Sequence, residues 1–160
     1  MSVKSERAQN SKNKLKIALV GKYTEKATAY QSLTDALNTA ALLKGKAVAV
    51  TLVSSADVEK DPNILADYCA IVIAPGFGVR GFEGKVAAAK YARENNVPCL
   101  MIGLGAQAGL VEFARDVCHM TGATSQEFEQ NTPYPVVCFV EPNMLKKGAF
   151  PSMITTGTYL

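Results

Sequence analysis

Residues 98–115 read PCLMIGLGAQAGLVEFAR, a pattern that predicts a buried strand, a sharp turn and a helix. Two glycines, Gly103 and Gly105, bracket the turn. A strand-to-helix turn of this kind above a parallel sheet is the elbow at which many hydrolases present a nucleophile. Gly103 occupies the nucleophile's place in this chain, so the sequence predicts the elbow without its reactive side chain.

Apolar, β-branched segments precede this stretch and alternate with helical patterns. Continuous apolar strands are typical of a parallel sheet that is buried on both faces. Strands are predicted at residues 16–20, 47–53, 69–74 and 98–102, with a fifth at 136–140. Helices are predicted at residues 28–43, 84–94 and 105–118. This order predicts an α/β fold, in which a doubly wound, flavodoxin-like and mostly parallel sheet is flanked by helices.

Length and composition favour a single soluble domain. A chain of 160 residues can bury roughly 70% of the surface that its unfolded form exposes. The hydrophobic content of 48% and the charged content of 19% are ordinary globular values. No apolar run approaches the ~20 residues needed to cross a bilayer, so we expect no membrane association.

Residues 1–14, MSVKSERAQNSKNK, are polar and basic and lack the apolar core of a secretion signal. We expect them to form a disordered tail, followed by one domain at residues 15–160, in a cytoplasmic protein. The tail supplies much of the formal net charge of +3, so we expect no nucleic-acid partner. After residue 147 the alternation of elements dissolves, and the C-terminal part of the domain is expected to be incomplete.

The cysteines and the single histidine form no recognisable catalytic or metal pattern. Cys69, Cys99, Cys118 and Cys138 are widely spaced and lack C-x-x-C spacing, which favours reduced core thiols over disulfides or a zinc site. We interpret Cys99 and Cys118 as buried small hydrophobic residues. Neighbours along a helix point apart, so His119 is interpreted as a helix C-terminal residue and not as a partner of Cys118. No metal and no cofactor is predicted.

The glycine-rich residues 74–85, APGFGVRGFEGK, connect a predicted strand to a predicted helix. Ligands of open α/β sheets bind at this edge, and the amides of such a loop can approach an anion or a developing oxyanion. The spacing fits neither the dinucleotide-binding fingerprint nor a P-loop. The alternative interpretation is a connection that only turns the chain.

Taken in order, these segments resemble the glutaminase (class I glutamine amidotransferase) domain of CTP synthase between about residues 16 and 140. The motifs that carry the resemblance are collinear along the chain. They are IALVGKY at 17–23, AYQS at 29–32, GFGVRGFEGKVAAAKYARENNVP at 76–98, LGAQ at 104–107, VEFAR at 111–115, and ATSQEF with NTPYPV between 123 and 136. The resemblance implies an activity in which a cysteine thiolate releases ammonia from glutamine for a synthetase domain that makes CTP.

By position, the resemblance also implies a glutamine pocket. Its substrate-binding residues are expected to be Gly76, Phe77, Leu104, Gln107 and Glu127. In the family, the residue at the position of Glu127 holds the α-amino group of glutamine.

Two departures from the family pattern affect the chemistry. The family's Pro-Gly-Gly-Phe reads Ala-Pro-Gly-Phe at residues 74–77, so Pro75 replaces a glycine and has no amide hydrogen to donate. The family's Gly-Ile-Cys-Leu-Gly reads Met-Ile-Gly-Leu-Gly at residues 101–105, so Gly103 stands at the nucleophile position. The activating histidine and glutamate of the family would lie beyond residue 160. No catalytic residue is therefore expected in this chain.

Three functions remain open from the sequence. The first is a catalytically inactive glutaminase-like module that binds glutamine or a related small molecule and regulates a full-length CTP synthase. The second is a functional glutaminase fragment or subunit that a partner completes in trans. The third is a truncated paralogue without a function. Because loss of a nucleophile alone costs on the order of 10⁶ in kcat at a comparable site, glutamine hydrolysis is expected to be negligible.

Overall fold

A four-stranded parallel sheet forms the centre of the fold. The computed structural model describes residues 14–26, 28–138, 151 and 156–157. The strands are β1 (Leu15–Gly21), β2 (Val48–Ser54), β3 (Ala70–Ile73) and β4 (Cys99–Met101), in the order β2-β1-β3-β4. The chain leaves β1 for β2 on one side and returns to β3 on the other, so the topological switch point lies between β1 and β3. The predicted doubly wound parallel sheet is confirmed.

Helices cover both faces of this sheet. They are α1 (Gln31–Leu43), α2 (Ser55–Lys60), a 3₁₀ turn (Pro62–Leu65), α3 (Phe82–Glu94) and α4 (Leu104–Glu112), which continues as a π-helical turn (Phe113–Val117). Side chains alternate along β1, so Ala18 and Val20 face α3 whereas Ile17 and Leu19 face α1. A third apolar cluster joins α3 to α4.

The ends of the predicted helices shift by a few residues for local reasons. Helix α3 begins at Phe82, two residues earlier than predicted, after Gly81 in a left-handed conformation. It ends at the predicted asparagines, where Asn95 is the C-cap and Asn96 has a φ of 53°. Asparagine tolerates this conformation better than most residues. The short helix α2 has no clear counterpart among the predicted ranges, because six residues are too few for a helical period to show.

The predicted fifth strand does not join the central sheet. Strand β6 (Pro135–Val137) pairs in parallel with β5 (Thr124–Ser125), and the two form a separate small sheet. Val136 packs against the cluster between α3 and α4, so its apolar side chain is used there and not at the edge of β4. Residues 139 and 140 of the predicted strand lie outside the described residues, as does nearly all of the predicted N-terminal tail.

All four cysteines are free thiols, as predicted, but their burial differs from the prediction. Cys118 is exposed, so its interpretation as a buried hydrophobic residue is wrong; it caps the π-helical turn beyond the apolar face of α4. Cys69 and Cys138 are also exposed, whereas Cys99 is partly buried. Burial raises the pKa of the Cys99 thiol to about 11, which keeps it protonated at neutral pH. His119 follows the helix end with a φ of 57°.

Within the described ranges, no group of three or more His, Cys, Asp or Glu side chains is placed to hold a metal ion. Each helix in the same part of the chain is too short or too polar to be a candidate membrane span.

The start of α3 lies directly against the start of α2. A Cβ atom on Gly84 would lie 1.7 Å from the carbonyl oxygen of Ser55, so the two backbones approach too closely for any side chain. We expect Gly84→Ala to lower the free energy of unfolding by about 3 kcal/mol or more, because backbone must move to admit the methyl group. Urea unfolding followed by circular dichroism measures this change.

Ala87→Ser serves as the matched control, since Ala87 lies on the same helix and is only partly buried. Its effect should stay within about 0.5 kcal/mol. Equal stabilities of the two variants would contradict the close approach of α2 and α3.

Candidate functional site

The candidate site lies at the carboxyl ends of β3 and β4. The glycine-rich loop leaves β3 at Ala74, and the elbow leaves β4 and enters α4 at Leu104. A Cβ atom on Gly76 would lie 3.8 Å from Leu104 Cδ2, so the loop and the elbow are neighbours. The structure therefore brings together two segments that the sequence identified separately.

The elbow at Gly103 has the predicted strand-turn-helix geometry. Gly103 is the N-cap of α4, with φ 56° and ψ −115°. Residues with a side chain rarely adopt a positive φ, so the turn itself favours glycine. The next glycine is required for another reason, since a Cβ atom on Gly105 would lie 2.3 Å from the carbonyl oxygen of Ile73. The first turn of α4 is thus pressed against the end of β3.

The two departures from the family motifs meet in space. A Cβ atom on Gly103 would lie 3.3 Å from Pro75 Cβ and 3.8 Å from Pro75 Cα. The first of these distances is shorter than an ordinary van der Waals contact, so a side chain on the elbow would crowd the proline ring. The sequence analysis did not predict this contact, because 27 residues of chain lie between residues 75 and 103.

Glu127 reaches the glycine-rich loop from the segment before β6. Its Oε1 atom accepts a hydrogen bond of 2.9 Å from the backbone amide of Gly78. Gly78 has a φ of 74°, which lets its amide point at the carboxylate. The predicted site residues Gly76, Leu104 and Glu127 therefore belong to one region of the molecule.

The segment that carries Glu127 is fixed by contacts to α3 and α4. Arg115 Nε donates to the carbonyl oxygen of Ala123 at 2.7 Å. The rings of Phe128 and Phe82 pack edge to face, with centroids 4.6 Å apart. These contacts lie on both sides of Glu127 in the sequence and hold its backbone in place.

Gln107 and Phe77 have different surroundings. Gln107 lies in the first turn of α4, where its backbone amide donates to the Gly103 carbonyl oxygen at 3.1 Å. Its side-chain Oε1 is buried and has no hydrogen-bond partner among the described residues. The Phe77 side chain is 72% exposed and lines a cavity of about 270 Å³ at the switch point, beside Tyr23 and Tyr30.

Two lysines beneath the loop were missed by the sequence analysis. Lys85 is fully buried, and its Nζ donates to the carbonyl oxygens of Ala74 at 2.5 Å and Pro75 at 3.3 Å. Lys22 Nζ donates to the Phe77 carbonyl oxygen. Burial and, to a smaller extent, the like charge of Lys22 together lower the pKa of Lys85 to about 8. The available signal was a lysine among the small apolar residues of EGKVAAAK.

The parallel sheet, the elbow and the glycine-rich loop define an amidotransferase-type site. The model of the family "Glutamine amidotransferase class-I" matches residues 28–138. The chain therefore belongs to the class-I glutamine amidotransferase family.

Two relatives make the resemblance more specific. The chain is 45% identical over 138 residues to the CTP synthase of Salinibacter ruber, an alignment that covers 85% of this chain and 24% of that protein. Its structure matches the glutaminase domain of Trypanosoma brucei CTPS with bound acivicin, with a TM-score of 0.74 and 30% identity, over 85% of this chain and 54% of that one. The predicted resemblance to the CTP synthase glutaminase domain is confirmed. The chain spans about a quarter of the curated relative and about half of the solved domain.

The contact between the elbow and the loop can be tested by a double-mutant cycle. We expect Gly103→Ala to cost about 1–3 kcal/mol of unfolding free energy, because it adds both backbone strain and crowding against Pro75. Pro75→Gly removes the crowding but not the strain. The double variant should therefore be more stable than the sum of the single effects predicts, by at least about 0.5 kcal/mol in urea unfolding.

Gly45→Ala is the matched control, since Gly45 has a φ of 62° and open space around its Cα. It reports the strain of a positive φ alone, and its effect should be additive with that of Pro75→Gly. Additivity at Gly103 as well would contradict a contact between the two sites.

Proposed function

We propose that this chain binds glutamine, or a closely related small molecule, between the glycine-rich loop, the elbow and Glu127, and does not hydrolyse it. The observation that carries the proposal is the elbow itself. Gly103 offers no nucleophile, and Pro75 lies against the space that a side chain would enter. Gly76 and Leu104 are neighbours at the elbow, and Glu127 contacts the same loop through the Gly78 amide, which supports a ligand pocket there.

The expected ligand contacts follow from the chemistry of these groups. The Glu127 carboxylate is an acceptor for an α-ammonium group, and it already accepts one backbone amide. The amides of Gly76, Phe77 and Leu104 are donors suited to a carbonyl or carboxylate oxygen of the ligand. The Oε1 of Gln107 lacks a partner among the described residues but is buried, so it would accept a hydrogen bond from the ligand only after a change of side-chain rotamer. Acivicin, a glutamine analogue, occupies the structure of the T. brucei relative.

The other thiols do not replace the missing nucleophile. Cys99 lies within β4, four residues before the elbow, and its raised pKa keeps it protonated. Cys118 follows the π-helical turn at the far end of α4. Neither thiol reaches the elbow, so the proposed pocket binds its ligand without a covalent step.

We further propose that this binding regulates a full-length CTP synthase in cytoplasmic pyrimidine nucleotide synthesis. The identity of 45% to a CTP synthase supports it. The edge strand β4 also has no neighbour on its outer side within the described chain. Four large apolar side chains on β4 and α4 are more than a third exposed, and a partner chain could cover them: Leu100, Met101, Leu110 and Phe113.

The same exposed edge favours a second candidate, a glutaminase subunit that a partner completes in trans. This chain matches only about half of the solved glutaminase domain, and another chain could supply the rest together with a nucleophile. The first candidate predicts ligand binding by the chain alone. The second predicts ammonia release only in a mixture with the partner.

Glutamine binding is tested by isothermal titration calorimetry of the purified chain. We expect Glu127→Gln to weaken glutamine binding about 10- to 100-fold, because a hydrogen bond to a charged group contributes about 1.5–3 kcal/mol. Glu129→Gln is the matched control, since Glu129 is an exposed carboxylate two residues away. Its glutamine Kd should equal that of the unsubstituted chain. Equal affinities of the two variants would exclude the proposed role of Glu127.

Hydrolysis is tested by an assay for ammonia released from glutamine. We expect a rate no higher than that of buffer, because the elbow carries no nucleophile. The assay is repeated with Cys99→Ala and with Cys118→Ala. Ammonia release by the chain alone that disappears in one of these variants would sink the non-catalytic proposal. Release by the chain mixed with a full-length CTP synthase from the same cells, at a rate above that of the synthase alone, would favour completion in trans.

A further inference from the structure

We infer that Lys85 is the positioning residue of the proposed ligand pocket, because its ammonium group holds two carbonyl oxygens beneath the glycine-rich loop and thereby turns the Gly76 amide toward the ligand. The inference concerns the pocket of the proposed function and rests on that proposal. It adds a role for a residue that contacts no expected ligand group. The supporting observations are the burial, the hydrogen bonds and the charge of Lys85.

Lys85 is unusual among the charged residues of this chain. Lysine is almost never fully buried unless it has a partner, yet the Lys85 side chain is completely inaccessible to solvent. Its partners in the described chain are the carbonyl oxygens of Ala74 and Pro75, and no carboxylate there lies within ion-pair distance. The ammonium group is therefore held by the loop alone.

Because the peptide bond is planar, the hydrogen bonds from Lys85 to carbonyl oxygens also fix the direction of the amide in the same peptide. In a trans peptide the carbonyl oxygen of one residue and the amide hydrogen of the next point in opposite directions. The Pro75 carbonyl oxygen faces Lys85, so the Gly76 amide points away from the lysine. Proline has no amide hydrogen, so the other peptide held by Lys85, between Ala74 and Pro75, presents no donor.

The peptide between Phe77 and Gly78 shows the same arrangement, and its amide already has an acceptor. Lys22 Nζ holds the Phe77 carbonyl oxygen, and the Gly78 amide of that peptide donates to Glu127 Oε1 on the opposite side. Each lysine thus fixes one peptide of the loop. By this pattern Lys85 directs the Gly76 amide away from its own ammonium group, and we infer that this amide faces the ligand that Glu127 binds.

Lys85 is a cost to stability as long as it is charged. Its folded pKa of about 8 lies below the ordinary value of 10.5, so the unfolded chain binds the proton more tightly. The contribution of this group to folding stability is therefore least favourable below pH 8 and improves as the pH rises from about 8 to 10.5. Retention of a destabilising group at a binding site points to a role in function.

Among the residues that the structure describes, the charged groups on the neighbouring elements provide no counter-ion for Lys85. Lys22, at the end of β1, carries a like charge and disfavours the ammonium form of Lys85. The nearby carboxylates of α2, α3 and the segment before β6 are engaged elsewhere. Glu83 pairs with Arg115, Asp57 pairs with Lys60, and Glu127 accepts the Gly78 amide.

The test compares Lys85→Met with Lys90→Met, a control on the same helix whose side chain is 44% exposed and pairs with Asp116. We expect K85M to shift the amide resonance of Gly76 in ligand-free ¹H–¹⁵N spectra, and K90M to leave it unchanged. Glutamine should bind K85M at least 10-fold more weakly than K90M. Binding is compared under conditions in which circular dichroism shows both variants folded, because K85M also leaves the carbonyl oxygens of Ala74 and Pro75 without their donor.

A pH titration of the ligand-free chain is the second measurement. The Gly76 amide resonance should shift with a midpoint near pH 8 in the unsubstituted chain and in K90M, but not in K85M. If the unsubstituted chain does not bind glutamine, the proposed function is refuted. The spectroscopic test of Lys85 does not depend on that result. If K85M does not fold, the titration decides by itself. A Gly76 resonance without a midpoint between pH 7 and 9, or one unchanged in folded K85M, would overturn the inference.

Discussion

Two close contacts between backbone segments, both at the carboxyl edge of the sheet, determine the geometry of this site. Gly105 places the first turn of α4 against the last carbonyl group of β3, and no Cβ atom would fit between them. Gly84 places the start of α3 against Ser55 in the same way. Because both helices are seated this tightly, the loop from β3 and the elbow from β4 are forced together. The contact between Pro75 and Gly103 is a direct consequence.

This packing explains why the change at the elbow does not stand alone. A side chain at residue 103 needs space that Pro75 now fills, so the two positions form one unit although they belong to different motifs. The other components of the pocket lie outside this unit. Glu127 is held by the Gly78 amide, and its segment is tied to α3 through Phe128. The residues that we propose to bind the ligand are therefore held independently of the contact between Pro75 and Gly103.

The sequence predicted the central sheet well because its strands are continuous apolar runs with helical patterns between them. It failed where the decisive contacts are not periodic. Val136 has the pattern of a sheet strand but packs on α3 and α4, and Cys118 sits in an apolar context but falls beyond the buried face. At the site, the motifs identified which loops matter. They did not reveal Lys85, because a lysine in a helix is normally exposed, and only the fold places this one beneath the loop.

Gly103 and Lys85 have opposite effects on the folding stability of this site. An elbow that carries a nucleophile holds a side chain at a positive φ, which costs about 1–3 kcal/mol of strain and is tolerated because chemistry requires it. Glycine at residue 103 removes that strain. The buried ammonium of Lys85 also costs stability, and it remains. Replacement of Lys85 by an apolar residue would remove this charge but would leave the carbonyl oxygens of Ala74 and Pro75 without their donor. An elbow without a nucleophile, next to a buried charge that holds the glycine-rich loop, is the arrangement that the proposed binding without hydrolysis requires.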